Sequence, residues 1–202
     1  MFTGLIREFA EVLGYENNLL SLKARYVPHV GDSIAVNGVC LTVVSLFEGG
    51  FKMELSYETR ALIALEHLKD KVHMESALAL GDTLDGHMVQ GHVDCLGVIE
   101  SLVQNENGMD IRISVPKEYI KFLIPKGSVA VDGVSLTVND VSKEQFRLTI
   151  IPHTFEQTLF KEYRVGRRVN IETDMFARYI YHMFKKDKGL DWAGVDRIMA
   201  TY

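Results

Sequence analysis

A ten-residue stretch that occurs twice constrains this chain more than any other feature. Residues 34–43 are IAVNGVCLTV and residues 129–138 are VAVDGVSLTV, so seven of the ten positions are identical at an offset of 95 residues. Two of the differences are conservative, but the third places Cys40 in one copy and Ser135 in the other. The pattern predicts a duplicated domain whose copies differ at a potential nucleophile.

The repeat extends beyond this stretch in both directions. Four further blocks align between the copies: residues 2–6 with 89–93, Phe51 with Phe146, residues 57–59 with 152–154, and residues 72–75 with 169–172. The offset drifts from 87 through 95 to 97, which places the insertions between strands, where loops tolerate them. Such a long period indicates tandem domains rather than a solenoid of short repeats.

Composition narrows the class of protein. The 202 residues could form one large domain or two small ones, and a unit of ~90 residues can bury a modest core. A net charge of −5 argues against nucleic acid as a partner. Arg7 and Glu8 interrupt the place of a secretory signal, and no stretch reaches the ~20 apolar residues of a membrane span, so we expect a cytoplasmic protein without membrane contact.

Short apolar or alternating segments separated by turn residues predict strands in each copy. In the first copy these strands are expected at residues 19–24, 33–36, 41–46 and 51–55. The Asn-Gly at 37–38 and the Asp-Gly at 132–133 favour tight hairpin turns. Residues 59–68 and 155–163 predict one helix per copy. About six strands and a brief helix in ~85 residues favour a small closed antiparallel barrel, because closure removes exposed strand edges.

The segment after the second copy has no counterpart in the first. Asp174 can cap a helix that begins at Met175. Its apolar stripe comprises Phe176, Tyr179, Ile180, Met183 and Phe184, and its end is marked by Lys185, Lys186, Lys188 and Gly189. A second short segment after Asp191 would hold Trp192, Val195, Ile198 and Met199. The stripe either packs on its own barrel or mediates self-association, and the sequence favours the second slightly.

Alternation along the duplicated strands separates two faces. Leu41 and Leu136 are expected in the barrel cores, while Cys40 and Ser135 point outward with Thr42 and Thr137, respectively. Two polar side chains on a rigid strand can hydrogen-bond a flat ligand rich in heteroatoms. The alternative is that they only decorate a solvent-facing strand. The pattern alone favours that alternative, but the duplication weakens it, because packing does not require polar identity at matched positions.

The richest polar stretch, DGHMVQGHVD at residues 85–94, lies at the junction of the copies. His92 aligns with Leu5 of the first copy, and its ordinary pKa suits a general acid or base. A metal site is disfavoured, because the five-residue spacing of His87 and His92 fits no common motif with Asp82, Asp85 or Asp94. Cys40 and Cys95 form no disulfide framework, and a free cysteine is more often a small buried hydrophobe than a nucleophile.

Taken together, these motifs resemble the riboflavin synthase family of the alpha-subunit type, which is built from two lumazine-binding repeats. The resemblance covers essentially the whole chain and rests on MFTG at 1–4, NGVCLTV at 37–43, ET at 58–59, GHMVQGHVD at 86–94, DGVSLTV at 132–138, IPHT at 151–154 and NIETD at 170–174. It implies an all-β fold of two tandem, similar six-stranded antiparallel Greek-key barrels plus a C-terminal α-helix. The expected domains are residues 1–86, residues 87–174 and a helical, trimerising segment at 175–202.

The resemblance also implies a reaction. Two molecules of 6,7-dimethyl-8-ribityllumazine would dismutate by transfer of a four-carbon unit, giving riboflavin and 5-amino-6-(ribitylamino)uracil, the last step of riboflavin biosynthesis. No metal or organic cofactor is implied. The family forms homotrimers whose sites lie between the N-terminal barrel of one subunit and the C-terminal barrel of another, and it leaves open an association with lumazine synthase. The runner-up is a non-catalytic lumazine- or flavin-binding protein of the bioluminescence antenna type.

Matching positions supply the expected site residues. Those implicated in turnover are Phe2, Cys40, His92, Ser135, Thr137 and Asp174. The N-terminal pocket is expected to take Gly4, Leu5, Ile6, Cys40, Leu41, Thr42, Glu54, Leu55, Ser56, Tyr57, Glu58 and Thr59. The C-terminal pocket is expected to take Gly91, His92, Val93, Lys126, Ser135, Leu136, Thr137, Ile150, Ile151, Pro152, His153 and Thr154. We expect His92 or the Ser135/Thr137 pair to move a proton, and Cys40 to position or add to the other ring.

Overall fold

The computed structural model describes residues 1–106 and 108–186, and the fold within them is two β-barrels followed by a helix. Barrel 1 comprises β1 (Glu8–Glu16), β2 (Leu19–Lys23), β3 (Ser33–Val36), β4 (Val39–Phe47), β5 (Gly50–Glu54) and β6 (Lys71–Ser76). Barrel 2 comprises β7 (Cys95–Asn105), β8 (Gly108–Ser114), β9 (Ser128–Val131), β10 (Val134–Val141), β11 (Gln145–Ile150) and β12 (Arg168–Thr173).

Both barrels close with the same strand order. Barrel 1 runs β1-β2-β5-β4-β3-β6, and the equivalent order in barrel 2 is β7-β8-β11-β10-β9-β12. All pairings are antiparallel, and β6 and β12 close the barrels on β1 and β7. The all-β prediction of two similar six-stranded barrels is therefore confirmed. The barrels lie within residues 1–86 and 87–174, while the exact domain limits stay a prediction.

The duplicated stretch forms the β3–β4 hairpin of barrel 1 and the β9–β10 hairpin of barrel 2. Asn37 and Gly38 have φ of 45° and 77°, and Asp132 and Gly133 have φ of 45° and 81°. Positive φ at both central residues is the requirement of a type I′ turn, so the turn prediction is confirmed. The two turns touch each other, with Gly38 of barrel 1 against Gly133 of barrel 2.

The helix predicted in each copy is broken into two pieces. In barrel 1, α1 (Tyr57–Leu62) is followed by a 3-10 turn at Leu65–His67, and in barrel 2, α2 (Pro152–Glu156) is followed by a 3-10 turn at Leu159–Glu162. Ile63 is extended, and the Ala64 N–H donates to Asn170 Oδ1 of barrel 2 (2.9 Å). Contacts from the other barrel thus replace helical hydrogen bonds, which local sequence patterns do not reveal.

The chain continues as α3 (Met175–Lys186), and the Phe176 N–H donates to the Asp174 side chain as predicted for a cap. Tyr181 packs edge-on against Phe122 of barrel 2 at 5.3 Å between ring centroids. The apolar stripe on the helix is exposed by 54–74%: Phe176, Tyr179, Ile180, Met183 and Phe184. The predicted second segment around Trp192 lies outside the described residues, within which no helix is long and apolar enough to span a membrane.

Candidate functional site: two polar strand faces under crossed arms

The duplicated strands present the two faces that alternation predicts. Leu41 and Leu136 are 4% and 9% exposed and belong to the barrel cores. Cys40 and Ser135 are partly buried on the outer face, next to the exposed Thr42 and Thr137. Each barrel thus carries a polar pair on the outside of a rigid strand, at equivalent positions.

Two segments that precede the barrels run across these outer faces. We call residues 2–6 the first arm and residues 89–93 the second arm. Each arm leads into its own barrel but lies on the other. The Ser135 N–H in β10 donates to the Gly4 carbonyl, and the Cys40 N–H in β4 donates to the Gly91 carbonyl, both at 2.8 Å.

This crossing corrects the pocket assignment drawn from the resemblance. That assignment grouped Gly4, Leu5 and Ile6 with Cys40, and Gly91, His92 and Val93 with Ser135. In the structure the first arm covers the Ser135 strand, and its Ile6 packs on the core of barrel 2. The second arm covers the Cys40 strand, and its Val93 packs on the core of barrel 1. The set of expected residues is unchanged, but the first arm belongs with Ser135 and the second arm belongs with Cys40.

Both arms require glycine where they touch the strands. Gly4 and Gly91 each have a φ of 79°. A Cβ at Gly4 would lie 2.6 Å from Ser135 Cβ, and one at Gly91 would lie 2.5 Å from Cys40 Cβ. Only a residue without a side chain permits this approach, so the two glycines fix the distance between arm and strand.

The arms pair with each other where they cross. The Phe2 N–H donates to the Val89 carbonyl at 2.7 Å, and the Val89 N–H donates back at 3.1 Å. The Phe2 side chain is fully buried and packs with Ala35, Val89, Ala130 and Cys40. The Phe2 side chain therefore fills the contact between the barrels at the point where the arms cross.

A glutamate at the same place in each barrel holds each arm. Glu75 on β6 accepts the Thr3 N–H, the Thr3 hydroxyl and the Gly4 N–H at 2.7, 2.6 and 3.0 Å. Glu172 on β12 accepts the N–H groups of residues 90, 91 and 92 at 2.7, 2.8 and 3.1 Å. Neither glutamate is among the expected site residues, although identical acids at aligned positions of two largely apolar strands are a usable signal in the sequence.

The pocket of barrel 1 has a volume of about 300 Å³ beside the Cys40 thiol. It brings together six of the expected site residues: Cys40, Glu58, Thr59, Gly91, His92 and Val93. Val39, Leu62 and Ile63 complete its lining. Leu55 is buried in the core rather than in this pocket, and Tyr57 is 78% exposed on α1. The arrangement offers a thiol, a hydroxyl, an imidazole and a carboxylate to one ligand.

The equivalent face of barrel 2 differs in its chemistry. The Ser135 hydroxyl is hydrogen-bonded to His87 Nδ1 at 2.7 Å. Burial lowers the pKa of His87, and the nearby Asp174 carboxylate opposes that shift. A neutral imidazole held on a hydroxyl can take a proton through it. His87 was missed as a partner of Ser135, since 48 residues separate them and nothing in sequence shows that the loop before the second arm returns to β10.

The other residues expected in the C-terminal pocket are divided between the surface and the core. Lys126, Ile151, Pro152 and His153 are exposed, whereas Leu136 and Ile150 are buried in the core. A larger cavity, about 550 Å³, lies between β1, β2 and the segment after α2, and Ile6 of the first arm lines it together with Phe9, Lys23 and Gln157. It contains neither polar strand pair, so its size alone does not make it the site.

The acidic residues once considered as metal ligands have other partners. Asp94 binds the Thr173 N–H and hydroxyl, both at 2.7 Å, and the Arg178 guanidinium. Asp82 accepts the Ala79 N–H in a turn. Within residues 1–106 and 108–186, no group of three or more His, Cys, Asp or Glu residues is arranged to hold a metal ion.

A buried polar network joins the barrels below the arms. His73 Nδ1 donates to the Asp132 carbonyl (2.9 Å), and its Nε2 accepts the Leu159 N–H (2.8 Å), so the ring is neutral. Burial lowers the pKa of His73 to about 4. Asp132 accepts the Tyr163 hydroxyl at 2.6 Å and the Asn170 N–H at 2.7 Å, while burial raises its pKa to about 6. This network sets the relative position of the two outer faces.

Comparisons with known proteins agree with this architecture. The lumazine binding domain family matches residues 3–77 and again residues 90–174. Riboflavin synthases are similar over most of their length: that of Photobacterium leiognathi is 37% identical over 93% of this chain and 91% of its own, and that of Bacillus subtilis is 35% identical over 92% and 91%. That of Photobacterium phosphoreum is 44% identical over 80% of this chain and 75% of its own.

Solved structures share the fold at lower sequence identity. LumP complexed with riboflavin superposes with a TM-score of 0.76 at 18% identity, covering 86% of this chain and 99% of that one. LumP complexed with 6,7-dimethyl-8-(1'-D-ribityl) lumazine gives a TM-score of 0.72 at 19% identity with the same coverage. With two matching domains, two closed barrels and relatives at 35–44% identity, the chain belongs to the riboflavin synthase family of proteins with two lumazine-binding domains.

Proposed function

We propose that this chain is a transferase that makes riboflavin from two molecules of 6,7-dimethyl-8-ribityllumazine. A four-carbon unit leaves one molecule and joins the other, and 5-amino-6-(ribitylamino)uracil is the second product. The two products together contain all the atoms of the two substrates, so the exchange needs no external oxidant or reductant. One observation carries the proposal: the equivalent outer faces of the two barrels differ at their reactive groups, with Cys40 and His92 in a pocket on barrel 1 and Ser135 bonded to His87 on barrel 2.

Two identical substrates with different roles require such a pair. Each barrel holds one lumazine, and the polar strand pair of that barrel contacts its ring. Holding two rings face to face removes most of the entropy cost of their encounter, which contributes much of the acceleration. The non-catalytic binder is less well supported, because a protein that only binds one ligand has no need to keep both the Cys40/Thr42 and the Ser135/Thr137 pairs.

Ser135 and His87 are the proposed route for the proton that leaves the 7-methyl group. The hydroxyl faces the ligand, and the neutral imidazole behind it accepts the proton. Asp174 stabilises the imidazolium that forms. On the other barrel, Cys40 and His92 hold the second ring, with the thiol placed to position it or to add to it.

The two substrates are proposed to meet between chains, in a homotrimer. The support is the apolar stripe of α3 around Ile180, whose five side chains are each more than half exposed. A mixture of Cys40→Ser chains with Ser135→Ala chains, unfolded and refolded together, tests this arrangement. Some sites would then combine two intact pockets, so activity above that of either parent is expected; activity equal to the parents' would contradict it.

Two further expectations belong to the same proposal. The reaction takes place in the cytoplasm, where fractionation of cells should recover the chain. An association with lumazine synthase would deliver substrate directly, and co-purification of the two proteins from cells tests it. Loss of that association would leave the reaction of the isolated chain unchanged.

The decisive assay adds 6,7-dimethyl-8-ribityllumazine to the purified chain and follows riboflavin by absorbance and fluorescence. Riboflavin and the uracil product are expected in equal amounts. A change in lumazine fluorescence without product would instead show a binder of the antenna type. If neither riboflavin nor a change in lumazine fluorescence is observed, both the enzyme and the binder hypotheses are refuted.

A further inference from the structure

We propose that Glu75 and Glu172 are positioning residues that act across the boundary between the barrels, each controlling the pocket of the other barrel. Glu172 belongs to barrel 2, but it holds the second arm, which covers Cys40 of barrel 1. Glu75 belongs to barrel 1, but it holds the first arm, which covers Ser135 of barrel 2. Each polar face thus depends on a carboxylate of the other barrel, and neither carboxylate lines the pocket beside Cys40.

The arms depend on these carboxylates because they have few other acceptors. An arm is irregular backbone, and N–H groups buried away from water need a partner. Three donors converge on each carboxylate, and both glutamates are only 3% exposed. Burial raises the pKa of Glu75, and it raises that of Glu172 to about 6, while the arm N–H groups oppose these shifts. Arm and carboxylate therefore stabilise each other.

The arms control the pockets because they lie within van der Waals contact of the reactive side chains. The Gly91 backbone covers the Cys40 Cβ and accepts its N–H, and the next residue, His92, lines the same pocket. An arm released from Glu172 would uncover the thiol and move His92. The same argument applies to Glu75, Gly4 and Ser135, since the geometry is repeated.

The thiol of Cys40 makes this testable without any substrate. Cys40 is partly exposed, whereas Cys95 is 5% exposed and burial raises its pKa to about 12, so a disulfide reagent at pH 7.5 reports on Cys40. In Glu172→Gln the amide cannot replace both accepting oxygens. We expect its Cys40 labelling to be about tenfold faster or more, as for the loss of one to two charge-assisted hydrogen bonds. Glu75→Gln should leave the rate within about twofold.

A mirrored probe tests the other direction. In a Cys40→Ser, Ser135→Cys background the reactive thiol lies on barrel 2, and the pattern should reverse, with Glu75→Gln accelerating and Glu172→Gln not. Leu22→Ala and Ile113→Ala are matched controls. Both side chains are fully buried in a barrel core, so each substitution should destabilise one barrel without changing an arm. Acceleration by the glutamate of the same barrel, or equal acceleration by both glutamates, would overturn the proposal.

Amide hydrogen exchange of the intact chain provides a second measurement if a Gln variant does not fold. Glu172→Asp, which withdraws the carboxylate by one methylene, should raise exchange at the N–H groups of residues 90–92 and not at those of residues 3 and 4, and Glu75→Asp should do the opposite. Exchange raised in the wrong arm would count against the proposal. Only the kinetic consequence rests on the proposed function, since both readouts stand if the chain makes no riboflavin. With activity, Glu75→Gln should lower turnover more than Leu22→Ala does, and the charged Glu75→Asp should recover part of it.

Discussion

Gly38 of barrel 1 and Gly133 of barrel 2 lie back to back, so close that a Cβ on Gly38 would come within 2.5 Å of the Gly133 nitrogen. The two type I′ turns thus pack directly against each other. Tight turns tolerate little variation for conformational reasons alone, but here a second reason is added, because backbone of one barrel occupies the side-chain space of the other.

Gly133→Ala should therefore be far more destabilising than an alanine in an isolated turn. Gly49 has a comparable φ of 79°, and a Cβ there would meet nothing within 4 Å. We expect Gly49→Ala to lower the free energy of unfolding by about 1–2 kcal/mol through backbone strain, and Gly133→Ala by about 4 kcal/mol or more. Denaturant unfolding measures both, and equal losses would contradict the close contact.

His73 should make the chain sensitive to acid. Its pKa is lowered by burial to about 4, so the unfolded chain takes up a proton at higher pH than the native chain does. The stability that the neutral ring contributes is complete above pH 6.5 and is lost as the pH falls towards 4. His73→Asn copies the side chain that barrel 2 uses at the equivalent position, Asn170, and should flatten stability against pH in this window. An unchanged slope would show that His73 does not titrate with folding.

Asp132 should act in the opposite sense. Burial raises its pKa to about 6, so the native chain holds its proton at a pH where the unfolded chain has lost it. Its contribution is greatest below pH 3.8 and is lost as the pH rises through 6. Asp132→Asn, which copies Asn37, keeps an oxygen for the Asn170 N–H and should reduce this loss. Thermal melts from pH 4 to 8 compare wild type with Asp132→Asn. If the variant loses more stability than wild type above pH 6, the proposed role of Asp132 is refuted.

The outer face of β10 should be indispensable for turnover. Ser135→Ala, Thr137→Ala and His87→Gln should each lower kcat by about a hundredfold or more if they handle the proton, in the usual range for general acid–base groups. Asn139→Ala, two positions further along the same exposed face, is the matched control and should stay near wild type. Steady-state assays of riboflavin formation separate them; a fully active Ser135→Ala chain would exclude the proposed route.

The apolar stripe of α3 should determine the oligomeric state. Ile180→Glu puts a charge in its middle, while His182→Glu puts the same charge on an exposed position outside it. Ile180→Glu is expected to yield monomers with intact barrels and more than tenfold lower turnover at the same chain concentration, because burying an unpaired charge is costly. Analytical ultracentrifugation and circular dichroism provide the readouts. Trimers of Ile180→Glu would place the interface elsewhere.

Sequence alone predicts the parts of this molecule that depend on local pattern. Strand alternation places Leu41 in the core and Cys40 outside, and the Asn-Gly pair predicts the hairpin turn. The exchange of the arms is different. Because β4 and β10 have nearly the same sequence, the sequence does not show which of these strands the first arm covers. Only the three-dimensional structure shows that it is β10.

The replacement of Asn37 by Asp132 shows a second limit. It counts as conservative in an alignment, yet Asp132 accepts the hydroxyl of Tyr163, where barrel 1 has the apolar Leu68. The two differences, Asn37 against Asp132 and Leu68 against Tyr163, are therefore coupled, because the carboxylate and the hydroxyl are hydrogen-bonded to each other in barrel 2. Such coupling between residues distant in sequence leaves no periodic signal, so it requires the structure.

The crossed arms have a consequence for how the molecule is made. The first arm, which includes Phe2 and Gly4, is synthesised about 130 positions before the strand on which it docks, next to Ser135. The outer face of barrel 2 is thus complete only when an early segment of the chain meets one that is made much later.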